Sequence, residues 1–253
     1  MPDKAAVSAL TTLILAGGLG TRLRPAVGAL PKALARVAEK PFLDYLLSYL
    51  KNEGVRDIIL CTGYGAEKIE SYCGDGSGRG LQIRYSKEEK PLGTGGAIKY
   101  AGEKIKSDPF LVMNGDSILY AELSGFLGFH LKKNALLSML LTTVEETGRF
   151  GSVTVGGDGA VKIFSEKTRK GKNVINAGVY LFGRAVLNQI PSGIEVSLER
   201  EVFPAYAGKG LYGMVVPGPF IDIGTPESYA NAKATLSLTL PPRGGGKGEG
   251  ATR

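Results

Sequence analysis

Apolar positions along the chain fall into short runs with two different periods. From Thr11, the residues Leu13, Ile14 and Leu15 form an unbroken apolar run that stops at a glycine turn, as in a strand buried on both faces. Phe42, Leu43, Leu46, Leu47 and Leu50 recur at helical spacing between Phe42 and Glu53, and Gly54 closes that helix. Asp57 to Cys61 reads as the next strand, Ala66 to Tyr72 as a short helix, and Leu81 to Tyr85 as an alternating strand. A helix expected over Gly96 to Ile105 opens from a glycine loop. The short buried strand Phe110 to Met113 follows and ends at Asn114-Gly115-Asp116. This strand–helix alternation predicts an α/β fold with a doubly wound, mostly parallel, Rossmann-like sheet.

The second half changes character. Leu136 to Val144 and Ser152 to Val155 read as strands. Gly156-Gly157-Asp158-Gly159 makes a turn, so Val153 to Phe164 is expected as a hairpin. Val174 to Phe182 is a further strand, and a helix is expected near Glu195 to Val202. This half should extend the sheet and cover it. The expected organisation is a single domain over 11–236, with a first half to about 118 and a second over 119–236. A flexible N-terminus over 1–10 and a flexible tail over 237–253 flank it. From Pro241 to Arg253 the tail is rich in glycine and lysine and has almost nothing to bury.

Composition narrows the function classes. Hydrophobic content of 43% with 22% charged residues is ordinary for a globular chain of 253 residues. No apolar run is long enough for a bilayer span, and the first ten residues carry no secretory h-region. The expectation is a cytoplasmic protein without a membrane partner. Cys61 and Cys73 then read as free thiols in a reducing compartment. A formal charge of +7 favours anionic ligands, but the basic residues are scattered without an arginine-rich or aromatic-interleaved block. No nucleic-acid partner is therefore expected.

The chemistry concentrates in Leu15-Ala16-Gly17-Gly18-Leu19-Gly20-Thr21-Arg22, directly after the first strand. Gly17, Gly18 and Gly20 allow the backbone to approach a polyphosphate and present successive N–H groups to it. Thr21 adds a hydroxyl, Arg22 and Arg24 add guanidinium forks, and Pro31-Lys32 follows on a stretch able to fold back. A dinucleotide fingerprint would need a third glycine where Leu23 stands, and a Walker loop would need Gly-Lys-Ser/Thr. Neither is present, which argues against a nicotinamide or flavin dehydrogenase. The sequence Leu-Ala-Gly-Gly-Leu-Gly-Thr-Arg-Leu with Pro31-Lys32 resembles the signature of the sugar-1-phosphate nucleotidyltransferases. The likeness runs from about Thr11 to about Ala234. It implies a glycosyltransferase-A-like fold with a small sugar-binding extension, and condensation of a nucleoside triphosphate with a sugar 1-phosphate. For Arg22 it implies contact with the triphosphate and the leaving pyrophosphate, and for Lys32 contact with the phosphates at the reacting centre.

Such a reaction brings anions together, so charge must be neutralised and the reactants held in line. Magnesium suits that task and takes one or two carboxylates, with phosphate and water completing its shell. Asp116 stands at a strand end, where open α/β sheets place ligands. Asn114-Gly115-Asp116 resembles the family's metal-binding strand end, and Asp222 in Phe220-Ile221-Asp222-Ile223-Gly224-Thr225-Pro226 resembles its second metal-ligand motif. A lone aspartate after a strand is usually a cap or turn residue. Two of them beside a phosphate loop favour metal ligation. No nucleophilic side chain is needed, because a sugar phosphate is already ionised, and the single histidine, His130, is expected in a helix.

The resemblance also assigns the substrate pockets. Leu92-Gly93-Thr94-Gly95-Gly96-Ala97 lines the nucleoside pocket, together with Leu15, Ala16, Asn114 and Gly115. Glu88 or Glu89 could accept from guanine N1–H and N2–H, and Glu89 is the residue placed in the nucleotide site. Glu166 is expected toward sugar hydroxyls and Lys167 toward the sugar phosphate. Asn176 faces hydroxyls, while Gly178 and Gly151 leave room for the sugar ring. Ser197-Leu198-Glu199 is expected to support this pocket without chemistry of its own. Within the family, the motifs look most like D-glycero-α-D-manno-heptose 1-phosphate guanylyltransferases, enzymes that make precursors for lipopolysaccharide, capsule or S-layer glycans. They are also similar to compact mannose 1-phosphate guanylyltransferases and to enzymes that use other bases. A homodimer is a further expectation. A non-catalytic nucleotide-sugar sensor is the competing class, and the presence of Arg22, Lys32, Asp116, Lys167 and Asp222 argues against it.

Overall fold

The computed structural model describes residues 2–144, 152–165 and 173–239. The N-terminal helix α1 (Lys4–Ser8) precedes β1 (Thr11–Leu15), α2 (Arg24–Val27) and the two-residue strands β2 (Arg36–Val37) and β3 (Lys40–Pro41). Helix α3 (Phe42–Asn52), β4 (Asp57–Thr62), α4 (Ala66–Cys73), β5 (Gln82–Lys87), α5 (Gly93–Tyr100) and β6 (Phe110–Asn114) complete the first half. The second half comprises β7 (Ser117–Leu119), α6 (Leu123–Lys132), β8 (Leu137–Val144), β9 (Ser152–Val155), β10 (Val161–Ser165), β11 (Asn173–Phe182), α7 (Arg184–Gln189), α8 (Phe203–Tyr206), β12 (Leu211–Val215), β13 (Phe220–Asp222) and α9 (Pro226–Thr239).

Among the described residues, nine strands form one mixed sheet. Its path is β10-β9-β11-β6-β1-β4-β5, with β8 joined to β11 and to β12. The strands β6, β1, β4 and β5 are mutually parallel, as expected for a doubly wound α/β core. Strand β11 runs antiparallel to β6 and carries the second half onto that core. Leu13 and Ile14 are both fully buried on opposite faces, which is why the strand reads as a continuous apolar run. Ile14, Ile58 and Leu60 pack with α3 on one face. Leu13, Ile59 and Val112 pack with Ile98 and Val186 on the other.

Three elements differ from the pattern-based reading. Residues 4–8, expected within a flexible N-terminus, form α1, capped where the Asp3 carboxylate accepts from Ala6 N at 3.0 Å. Only Val7 is buried there, so periodicity had nothing to register. The helix is held by tertiary contact: Lys4 Nζ donates to Asn52 O at 2.8 Å, and a Cβ on Gly54 would lie 2.8 Å from Lys4 O. Helix α5 starts at Gly93, three residues before the expected Gly96. The helix expected near Glu195 to Val202 is a π-helix over Leu198–Val202 that runs into α8. The 240–253 part of the expected tail lies outside the described residues.

His130 sits in α6, as expected, buried with Nδ1 2.9 Å from Ser138 Oγ. Burial lowers its pKa from 6.5 to about 4. On acidification the unfolded chain therefore takes up this proton before the folded one. Stability is complete above the unfolded value and declines as pH falls from about 6.5 toward 4, by about 3 kcal/mol in all. Urea unfolding at pH 7.5 and pH 5 should show the wild type losing about 2 kcal/mol more than His130→Gln. Parallel losses in the two proteins would refute this assignment.

Candidate functional site

A cleft of about 670 Å³ opens at the C-terminal ends of β1, β4 and β6. The chain from Leu15 to Arg22 forms one wall. Ala16 N donates to Cys61 O at 2.8 Å and Gly115 N to Leu15 O at 2.9 Å, so the loop emerges pinned between β4 and β6. A Cβ on Gly115 would lie 2.6 Å from Leu15 O, so no side chain fits at that crossing. Gly20 has φ +58°, and its carbonyl accepts from Leu23 N and Arg24 N, which turns the loop into α2. Arg22 lines the cleft. Arg24 instead lies over the Tyr64 ring at 5.0 Å, so the second guanidinium expected at the phosphates is directed elsewhere.

Asp116 and Asp222 meet through a small ladder that sequence patterning did not show. Strand β13 pairs antiparallel with β7, with Asp222 opposite Ser117, and Ile223 N donates to Asp116 O at 3.0 Å. Both carboxylates line the cleft. Gly224 N donates to Asp222 Oδ2 at 3.0 Å, an approach close enough that a Cβ on Gly224 would lie 2.9 Å from that oxygen. Thr225 and Ser228 cap α9 reciprocally and fix the exit of the strand. Burial, and then the neighbouring Asp116 charge, push the Asp222 pKa up. Lys32 Nζ lies 2.5 Å from Asp116 Oδ2. Asp116 therefore already holds a cation, and the two carboxylates match the donor number that magnesium takes from protein while leaving room for phosphate and water. Among the described residues no cluster of three or more His, Cys, Asp or Glu offers an all-protein cage.

Beside the glycine loop Glu88 continues β5, its N–H donating to Thr62 O at 2.9 Å. Its Oε2 accepts from Leu92 N at 3.2 Å, and its Oε1 would lie 2.8 Å from a Cβ on Gly17. Burial raises its pKa, opposed by the Leu92 N–H. Cys61 lines the same region, and burial followed by the Glu88 charge pushes its thiol up to about 12, so it carries no thiolate at neutral pH. Thr94 Oγ1 donates to Glu199 Oε2 at 3.1 Å and accepts from Leu198 N at 2.8 Å. This links α5 to the π-helix. Deeper in, Asn176 Nδ2 donates to Tyr180 OH at 2.8 Å, while Asn176 Oδ1 accepts from Gly178 N at 3.0 Å across an irregularity in β11.

Most of the residues expected in the site meet here. Leu15, Ala16, Gly17, Gly18, Gly20, Thr21, Arg22, Lys32, Gly93, Thr94, Asn114, Gly115, Asp116, Asn176 and Asp222 all line the cleft. Four do not. Glu89 is exposed, and Glu88 faces the cleft in its place. Leu92 is buried and contributes its N–H to Glu88. Gly95 packs against Val196, where a Cβ would lie 3.0 Å from Val196 Cγ1. Gly178 abuts Ser117 Oγ and Asn114, so its missing side chain makes room for β6 and β7 rather than for a ring. Gly151, Glu166 and Lys167 lie outside the described residues. Glu199, Phe164 and Phe220 line the cleft without having been singled out for chemistry. For Glu88 a signal existed. It shares strand parity with Ser86, opposite Ile83 and Tyr85, which face the α3 side.

The nucleotidyl transferase family profile matches residues 11–238. The mannose-1-phosphate guanylyltransferase of Mycobacterium tuberculosis is 42% identical over 234 residues, covering 91% of this chain and 65% of that protein. The chain thus spans just under two thirds of that relative's length. The D-glycero-alpha-D-manno-heptose 1-phosphate guanylyltransferase of Aneurinibacillus thermoaerophilus is 37% identical over 228 residues, covering 90% of this chain and 98% of that protein. The crystal structure of HddC from Yersinia pseudotuberculosis complexed with GMP-PN superposes with a TM-score of 0.79 at 33% identity, covering 90% of this chain and 99% of that one.

Proposed function

The chain belongs to the nucleotidyl transferase family, and from that premise we propose that it condenses GTP with a manno-configured sugar 1-phosphate, giving a GDP-sugar and pyrophosphate. The observation that carries the reading is the approach of Asp116 and Asp222 at the end of the β7–β13 ladder, where Ile223 N donates to Asp116 O and the Lys32 ammonium contacts Asp116. An oxygen of the acceptor phosphate attacks the α-phosphorus of the triphosphate, and the bond to the β-phosphate oxygen breaks. The loop N–H groups from Gly17 to Thr21 cradle the triphosphate, and Arg22 faces the leaving pyrophosphate. Magnesium bound by Asp116 and Asp222 would neutralise charge on the reacting phosphates. Holding both reactants in line contributes about 7–11 kcal/mol in well-oriented cases, so no protein nucleophile is required. Asn176 is assigned to sugar hydroxyls. By family resemblance Glu166 shares that role, and Lys167 neutralises the acceptor phosphate.

Guanine is favoured by Glu88, a half-buried carboxylate beside Gly17 able to accept from guanine N1–H and N2–H. The names of the guanylyltransferase relatives point the same way. Glu88→Gln should keep the bond from Leu92 N but lose charge-assisted reading of guanine. Hydrogen bonds to charged groups contribute about 1.5–3 kcal/mol, so kcat/KM for GTP should fall roughly 10- to 150-fold. Activity with ATP should be unchanged, and an equal fall for both triphosphates would remove Glu88 from base selection.

The acceptor is assigned as D-glycero-α-D-manno-heptose 1-phosphate, supported by 37% and 35% identity to two heptose 1-phosphate guanylyltransferases. Mannose 1-phosphate is the second reading, supported by the 42% identity to a mannose enzyme. Pyrophosphate release should be measured for GTP, ATP, UTP and CTP against heptose, mannose, glucose and N-acetylhexosamine 1-phosphates. The reading expects GTP with heptose 1-phosphate to give the highest kcat/KM. A larger value with mannose 1-phosphate establishes the second reading, and preference for another base overturns the guanine assignment.

A further inference from the structure

The contact between Lys32 and Asp116 has a consequence for the order in which ligands enter. Asp116 Oδ2 is taken by the Lys32 ammonium at 2.5 Å, with side-chain exposures of 14% for Lys32 and 35% for Asp116. The pair is therefore partly shielded from water and keeps more of its attraction than a surface pair would. The backbone beneath Lys32 is fixed. Pro31 lies against Gly65, where a Cβ would sit 2.6 Å from Pro31 Cγ, and Lys32 Cβ lies 3.3 Å from the Cβ position of Gly20. Only the four-carbon stem is able to swing, and it pivots beside the phosphate loop. A divalent cation arriving at Asp116 meets an ammonium on the oxygen it needs, and like charges at such range repel strongly.

We propose that Lys32 is a positioning residue that holds the cation place on Asp116 in the nucleotide-free protein, so that a divalent metal enters only as the ammonium leaves. The inference rests on the nucleotidyltransferase reading of this site. A triphosphate along Gly17 to Arg22 offers the ammonium another set of oxygens, and binding of triphosphate and metal is thereby coupled in the same direction for both ligands.

The test uses Mn2+ alone, with binding to the full chain read by loss of the free Mn2+ electron paramagnetic resonance signal. Lys32→Met should bind Mn2+ about tenfold or more tightly than the wild type, because a unit positive charge beside the ligand oxygen is gone. The double variant Lys32→Met with Asp116→Asn should lose that gain. Equal or weaker binding by Lys32→Met overturns the proposal, as does a gain that survives in the double variant. Thermal melts accompany each protein, and Lys32→Gln provides the same comparison if the methionine variant does not fold. Pyrophosphate release by the wild type is scored separately. Active wild type with unchanged Mn2+ affinity in Lys32→Met defeats this inference alone, whereas inactive wild type defeats the nucleotidyltransferase reading.

Discussion

Asp116→Asn and Asp222→Asn should each lower kcat by about a thousandfold; Asp222→Asn should leave the melting temperature nearly unchanged, and Asp116→Asn should lower it only as far as losing the Lys32 ion pair requires. The two side chains differ by one charge and little volume, and both line an open cleft rather than the core. What each substitution removes is a carboxylate placed for a metal. Metal stabilisation of charge on transferring phosphates is worth several kcal/mol, and about 4 kcal/mol corresponds to a thousandfold. The Asp222 side chain also accepts from Gly224 N, a bond the asparagine oxygen can keep, so its loop should hold. Steady-state pyrophosphate release beside a thermal melt checks the prediction. Near-full activity in either variant removes that residue from the metal site.

Gly178→Ala should produce the largest effect on stability. Gly178 has φ +77°, where an L side chain costs about 1–2 kcal/mol. Its new Cβ would lie 2.6 Å from Ser117 Oγ and 2.8 Å from Asn114 Nδ2, and overpacking of that kind costs about 1–3 kcal/mol more. For a chain of this size the sum lowers Tm by roughly 5–15 °C. Asn114 and Ser117 flank Asp116, so any shift that relieves the clash moves the carboxylate, and kcat should fall as well. Gly18→Ala is the control, since nothing lies within 4 Å of its Cβ position. Its Tm should stay within about 1 °C of wild type, in keeping with the small effects of surface changes. Similar melting of the two variants would show that β11 yields more easily than its contacts suggest.

The strand Thr11–Leu15 was legible as a continuous apolar run buried on both faces, and the helix Phe42–Asn52 from its apolar spacing. Helix α1 was not, because five residues with one buried side chain are held by a cap and by partners near residue 54. The two aspartates could be picked out by motif, but their meeting depends on three-residue strands far apart in sequence, too short to leave a pattern. Glu88 and Glu89 differ only in strand parity, and that parity assigns Glu88 to the cleft once β5 is extended by a residue. Glycines misled most. Gly95 and Gly178 are small because Val196, Asn114 and Ser117 crowd them, and a sequence alone does not distinguish room for a neighbour from room for a ligand. The same holds for Glu199, whose place depends on a π-helix that no periodicity encodes.

The most direct measurement follows the α-phosphorus. GTP labelled at that atom, mixed with Mg2+ and with heptose or mannose 1-phosphate, should transfer its label to a GDP-sugar, with one pyrophosphate released for each sugar consumed. Omitting the sugar phosphate or chelating the metal should stop transfer. Label that remains in GTP with both sugar phosphates present, in protein shown to bind the nucleotide, would contradict the account.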